Sequence, residues 1–306
     1  MLPEKDNKFN KLSFYSADKG KIVQFTAPEA RVLVVDDIIT NLHVVKGLLT
    51  PYMMEVDLCQ SGYEAIEAVK SKHYDIVFMD HRMPGIDGVE TTEQIKALGD
   101  DDSYYSNLPI VALTADAVIC VREIFLEHGF ADYMSKPIDA VSMSTVLERW
   151  IPRKKQIGVD GSSKSADKSD SSHVAIELEG VNVKKGIRFS GGTVENFMEI
   201  LSMFYEEAIE HKEDLTKSIN SGDISKYTSN MHALKGALAN IGAEELADLA
   251  RELENAGYSR NLSYIEAFNM GFLTALEDLL HSVKVLISHE DDRESERFDT
   301  SVEEKN

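Results

Sequence analysis

Five residues between positions 36 and 136 have the side chains needed to move a phosphoryl group onto a carboxylate: Asp36, Asp37, Asp80, Thr114 and Lys136. Crowded carboxylates cannot all ionise cheaply, so such a cluster calls for a cation. Mg²⁺ suits it, because that ion takes oxygen ligands and keeps several of its waters. Asp37 and Asp80 are expected to ligate the metal directly, with Asp36 one step removed through water. Asp80, closing a central strand, is the expected nucleophile. The resulting acyl phosphate would face Mg²⁺, the Lys136 ammonium and the Thr114 hydroxyl, a stabilisation by positioned charge and donors.

The elements needed to bring these residues together are visible around them. Apolar runs at 31–35, 74–79, 109–113 and 132–135 precede Asp36, Asp80, Thr114 and Lys136 and read as buried strands. Strands alternating with amphipathic helices make a parallel sheet, which binds ligands at the carboxyl ends of its strands where strand order reverses.

The second half has another candidate nucleophile. After a Ser-, Asp-, Lys- and Gly-rich stretch at 154–174, strand–helix alternation gives way to helices only. A helix over about 223–241 places Tyr227, Met231, Leu234, Leu238 and Ile241 on a core stripe. Further stripes are Phe197, Leu201, Phe204 and Ala208, then Leu246, Leu249 and Leu253, then Phe268, Phe272, Ala275 and Leu279. Rotated from the first stripe, His232 shares a face with Thr228, Lys235, Gly236 and Ala239. Glycine costs about 1 kcal/mol against alanine inside a helix, so Gly236 suggests that bare backbone is wanted one turn from the imidazole. Lys235 could attract a phosphoryl group, and a neutral imidazole is a nucleophile near neutral pH.

Residues 29–153 resemble the receiver domain of two-component response regulators. The resemblance rests on the acidic pair Asp36–Asp37, the run from Asp80 through Met83–Pro84–Gly85 to Gly88, Leu113–Thr114–Ala115–Asp116, and Lys136–Pro137. It implies a flavodoxin-like, doubly wound α/β fold with a five-stranded parallel sheet. It also implies a cis Lys136–Pro137 bond, an aromatic switch at Tyr133 that moves with Thr114, and the carbonyl of Arg82 as a further Mg²⁺ ligand. By the same resemblance the side chains of Arg82 and Asp116 would tune phosphate lifetime. The nearest enzyme rival, an Asp-nucleophile phosphatase of the haloacid dehalogenase type, needs an Asp-x-Asp pair that Asp36–Asp37–Ile38 does not supply.

The stretch from His232 to Gly242 resembles the signature of histidine-containing phosphotransfer (HPt) domains, over about 175–290, with a turn at Gly191–Gly192. This implies an all-α antiparallel bundle with His232 exposed halfway along one helix and Lys235 and Gly236 supporting transfer. The expected organisation is an extension at 1–28, a receiver at 29–153, a linker at 154–174, the HPt domain at 175–290 and a charged, disordered tail at 291–306.

Composition narrows the function. With 32 basic and 53 acidic residues the net charge is −21, which argues against non-specific nucleic-acid binding. Cys59 and Cys120 are expected to be reduced, and no signal peptide or long apolar segment is seen, so a cytoplasmic location is expected. There is no Gly-rich ATP-binding box, so the chain reads as a phosphotransfer protein without its own kinase domain. The expected function is a phosphorelay intermediate. A sensor histidine kinase phosphorylates Asp80, the group passes to His232, and a downstream response regulator takes it from there. Two alternatives are a phosphorylation-switched interaction module and the C-terminal fragment of a hybrid histidine kinase. Within one chain, Ile38, Ile39, Met83, Pro137 and Ile138 are expected to meet the face carrying Gly236 and Ala239.

Overall fold

The computed structural model describes residues 23–100, 102–114, 125–158 and 176–303. A short strand β1 (Phe25–Thr26) is followed by the strands of a parallel sheet: β2 (Arg31–Val35), β3 (Glu55–Cys59), β4 (Ile76–Asp80), β5 (Ile110–Thr114) and β6 (Asp132–Ser135). Their order is β3-β2-β4-β5-β6, so strand order reverses beside β2 and β4. Every residue of β4 and β5 is buried, as expected of central parallel strands covered on both faces. The register sets Asp80 opposite Leu113 and Thr114 opposite Ser135, which brings the functional ends level. The Lys136–Pro137 peptide is cis.

Helices α1 (Ile39–Leu49), α2 (Gly62–Ser71), α3 (Gly88–Ala97), α4 (Ser103–Asn107) and α5 (Ala140–Trp150) flank the sheet. Side-chain caps start several of them. Ser61 accepts from the Glu64 amide, Asp87 from that of Glu90, and Asp139 from those of Val141 and Ser142. Helix α3 begins with Gly88 because a Cβ there would lie 2.0 Å from the carbonyl oxygen of Asp80. A two-stranded antiparallel pair joins β1 to β7 (Ile157–Gly158). Cys59 is a buried free thiol; Cys120, Asp116 and most of the expected linker lie outside the described residues.

The rest is helical: α6 (Val183–Phe189), α7 (Val194–Ser221), α8 (Ile224–Ile241), α9 (Glu244–Tyr258) and α10 (Leu262–Glu303), the last continuing through the charged stretch after Asp291. Asp223 caps the start of α8, and Gly242 ends it in the left-handed conformation. The expected stripe of α8 is fully buried, Tyr227 and Met231 through Ile241. The expected stripe of α10 is corrected: Phe268 and Ala275 are exposed, and burial falls on Ile265, Asn269, Phe272, Leu276, Leu279 and Val283. Asn269 takes a core position because its Oδ1 accepts from the Tyr227 hydroxyl at 3.1 Å, a buried polar pair where an all-apolar stripe was expected.

The two halves are docked. A single buried apolar cluster runs from the α1 side of the sheet into the helical bundle, including Val44, Leu48, Phe197, Leu201 and Leu234. Helix α1 packs on α7 and α8. The two halves approach closely at Gly191, where a Cβ would meet the Gly47 carbonyl oxygen at 2.9 Å and φ is +89°; glycine alone suits that turn.

Candidate functional site

Asp36 and Asp37 leave β2, and Asp80 ends β4. Their carboxylate oxygens lie within 4.8 Å of one another, a group able to hold a metal ion. Asp36 is buried and fully engaged. Its Oδ1 accepts from the Ile38 amide at 3.0 Å and from Asn41 Nδ2 at 2.9 Å, and its Oδ2 from Lys136 Nζ at 2.5 Å. Lys136 Nζ also lies 2.7 Å from Asp80 Oδ1. Burial alone would lower the Lys136 pKa, but Asp36 and Asp80 outweigh it and raise it. Asp37 is pushed up to about 7 by burial and by Asp36. Asp80 is likewise raised, chiefly by burial, against the attraction of Lys136. One ammonium therefore leaves the three-carboxylate set short of positive charge, and an oxygen-only donor set of this kind fits a hard divalent cation.

Thr114, at the end of β5, is buried, and its carbonyl accepts from the Lys136 amide at 2.7 Å. Tyr133 is half-buried on β6 and packs against the second receiver core cluster. The Arg82 guanidinium reaches the helical domain. Its Nη1 donates to the Tyr258 hydroxyl at 2.5 Å and lies 3.3 Å from Glu254 Oε1.

His232 differs from the exposed residue implied by family resemblance: its side chain is only 17% accessible. Its Nδ1 lies 2.6 Å from Glu254 Oε1, and Lys235 Nζ donates to Glu254 Oε2 at 2.6 Å. Glu254 is 3% accessible. Burial works to raise its pKa, yet the bonds from His232 and Lys235 prevail and hold it at about 2. An ionised carboxylate only accepts, so Nδ1 carries the imidazole proton and Nε2 keeps its lone pair. Burial, opposed by the bond to Glu254, lowers the His232 pKa. The neutral ring therefore dominates at pH 7.

Lys136 of the acidic centre and His232 line one cavity of about 200 Å³, with Ile38, Arg82 and Pro137 on one side and Gly236 and Ala239 on the other. Of the apolar contacts expected, Ile38 and Pro137 are there. Met83 and Ile138 are instead buried in core clusters on the two faces of the sheet, and Ile39 remains exposed. Asn41, buried on α1, continues the acidic centre across the boundary: Asn240 Nδ2 of α8 donates to Asn41 Oδ1 at 2.7 Å. A Cβ on Gly236 would lie 3.7 Å from Asn41, so this face packs on α1 at ordinary contact distance with room for an alanine. Sequence reasoning missed Asn41, Asn240, Glu254 and Glu207. The only local signal was an Asn at each of two otherwise apolar helix positions, 41 and 240.

Residues 32–148 match the family model described as the response regulator receiver domain, and residues 199–285 match the Hpt domain. The chain is 27% identical to sensor histidine kinase GacS of Pseudomonas protegens over 253 residues, covering 83% of this chain and 26% of that protein. It is 30% identical to sensor protein GacS of Pseudomonas syringae pv. syringae over 242 residues, 78% of this chain and 25% of that protein. The chain thus spans about a quarter of the length of these curated relatives. Among solved structures, the receiver domain of sensor histidine kinase PA1611 from Pseudomonas aeruginosa PAO1, with magnesium coordinated in its active site cleft, is 33% identical. That match covers 40% of this chain and 97% of that one, with a TM-score of 0.36.

Proposed function

We propose that this chain, a receiver domain followed by an Hpt domain, is a phosphorelay intermediate in which Asp80 and His232 exchange a phosphoryl group. The observation that carries the reading is the docking of the two centres: Lys136 and His232 line one cavity, and Asp36, Asn41 and Asn240 form a hydrogen-bonded path beside it. Transfer between two held acceptors is mostly a matter of orientation, and a docked pair has that already.

In this reading Asp80 takes the phosphoryl group from the phosphohistidine of a sensor histidine kinase. Asp37, Asp80 and the Arg82 carbonyl would hold Mg²⁺ directly, with Asp36 one water removed, and the ion when bound neutralises charge on the acceptor and on the phosphoryl oxygens. Lys136 carries a fixed positive charge against the same oxygens, and Thr114 follows the phosphoryl group, with Tyr133 filling the space it leaves. His232 then attacks the phosphorus through Nε2 while Asp80 leaves as a carboxylate. The proton on Nδ1 stays against Glu254, which compensates the charge the ring gains. Lys235 neutralises Glu254 and stands ready for the transferred group. A downstream response regulator would collect the phosphoryl group from His232. No described helix is long and apolar enough to cross a membrane, and we place the reaction in the cytoplasm.

Mixing Asp80→Asn with His232→Gln protein provides the test. Two acceptors held against each other within one chain need no encounter in solution. Transfer in the intact chain should therefore be independent of dilution and far faster than in the mixture at low micromolar protein. Equal rates would refute the intramolecular route.

A further inference from the structure

We propose that Glu207 selects the receiver this helical domain accepts, by supplying the N-terminal cap that the receiver's first helix lacks. The first amide groups of any α-helix have no partner within it, and a side-chain acceptor normally satisfies some of them. Helices α2, α3 and α5 of the receiver carry their own caps, Ser61, Asp87 and Asp139. Helix α1 does not: its N-cap residue is Ile38, which makes no side-chain cap bond, and its first turn has no acidic residue.

The missing acceptor comes from the other domain. Glu207 of α7 accepts from the Ile39 amide at 2.5 Å through Oε1, and from the Thr40 amide at 3.1 Å through Oε2. Its Oε2 also takes the Thr40 hydroxyl. Three donors converge on one carboxylate at the positive end of a helix, where negative charge is favoured. The fit extends along α1: Asn41 meets Asn240, His43 Nδ1 lies 3.9 Å from Glu199, and Gly47 sits against Ser190.

The consequence is selection by omission. A receiver whose first helix opens on Asp or Ser would already satisfy its first amides, and would leave the Glu207 carboxylate at the interface without its donors. Burying a charged acceptor unpaired is costly, so that receiver is rejected. The partner that fits is a receiver whose first helix opens on an apolar residue, with a hydroxyl residue at the second helical position. This inference rests on the relay reading above, since it concerns the surface across which that transfer occurs.

The test uses the full chain with Asp80 phosphorylated by acetyl phosphate and excess donor removed, so that only passage to His232 is timed. Glu207→Ala should slow that single turnover about tenfold, from the loss of one charged cap. Glu207→Gln, which keeps one acceptor, should fall between. Amide hydrogen exchange at Ile39 and Thr40 should quicken in the same order. A second arm compares the full chain with its Ile38→Asp variant, which gives α1 a cap of its own, each with and without Glu207→Ala. The slowing that Ile38→Asp causes should disappear with Glu207→Ala. Unchanged turnover with unchanged amide protection, or a slowing by Ile38→Asp that survives Glu207→Ala, would overturn the proposal. No transfer in the wild-type chain would refute the relay reading instead, and amide exchange would still decide the cap.

Discussion

Replacing Glu254 with Ala separates two jobs that one carboxylate performs. Glu254 is nearly inaccessible and sits between His232, Lys235 and Arg82, and its pKa is held at about 2 rather than the ordinary 4.5. That difference corresponds to about 3 kcal/mol of interaction favouring the ionised form. Because the folded pKa is depressed, the stabilisation is fully present above pH 4.5 and is lost as the pH falls from there towards 2. Glu254→Ala should therefore cost about 3 kcal/mol at pH 7, read by urea denaturation, with the gap to wild type narrowing through that acid window. The chemical effect is distinct. Without an acceptor at Nδ1, the imidazole proton is no longer held there, and Nε2 is less often the free nitrogen. A hydrogen bond to a charged group is worth about 1.5–3 kcal/mol, so transfer to His232 should slow roughly ten- to hundredfold. Nitrogen-15 NMR of the ring reads the tautomer directly. An unchanged Nδ1–H population together with an unchanged transfer rate in Glu254→Ala would refute the positioning argument.

Phosphorylation by acetyl phosphate should require both Mg²⁺ and Asp80. Chelation or Asp80→Asn should abolish the hydroxylamine-labile label, and Asp37→Asn should weaken Mg²⁺ binding severely in a fluorescence or calorimetric titration. Gly236→Ala places a Cβ at ordinary contact distance from Asn41, so it should stabilise α8 by about 1 kcal/mol and leave transfer near wild type. Gly236→Leu should force α1 away and cut transfer at least tenfold without loss of helical content, by circular dichroism and single-turnover assay.

Four of the five strands were legible because each is a short run ending at a residue with chemistry, and β4 and β5 are buried throughout; β3, Glu-Val-Asp-Leu-Cys at the partly exposed edge of the sheet, carries neither signal. The histidine helix was legible for the matching reason, a stripe at helical spacing with His232 turned off it. The α10 stripe misled because Phe268 stands four residues before Phe272, and aromatic residues at that spacing look like core. The true register includes Asn269, whose place depends on the Tyr227 hydroxyl in another helix. Glu207, Glu254 and Asn240 escaped for a related reason. Each is polar, obeys no local period, and acquires its role only from an element far away in sequence, in Glu207's case a helix start 168 positions distant.

The pairing of Phe25–Thr26 with Ile157–Gly158 fixes where the receiver is tethered. Phe25 and Ala27 are buried, and the Phe25 ring lies 5.5 Å from that of Tyr52, so this clasp is anchored in the domain rather than laid on it. The path into the receiver and the path out towards the Hpt domain therefore meet at one edge. Because the two ends are bonded to each other, a shape change at Asp80 or Thr114 has little leverage on either of them. The surface the receiver shares with the helical bundle is α1, packed on α7 and α8, so that is where such a change would be felt: by touch instead of by traction.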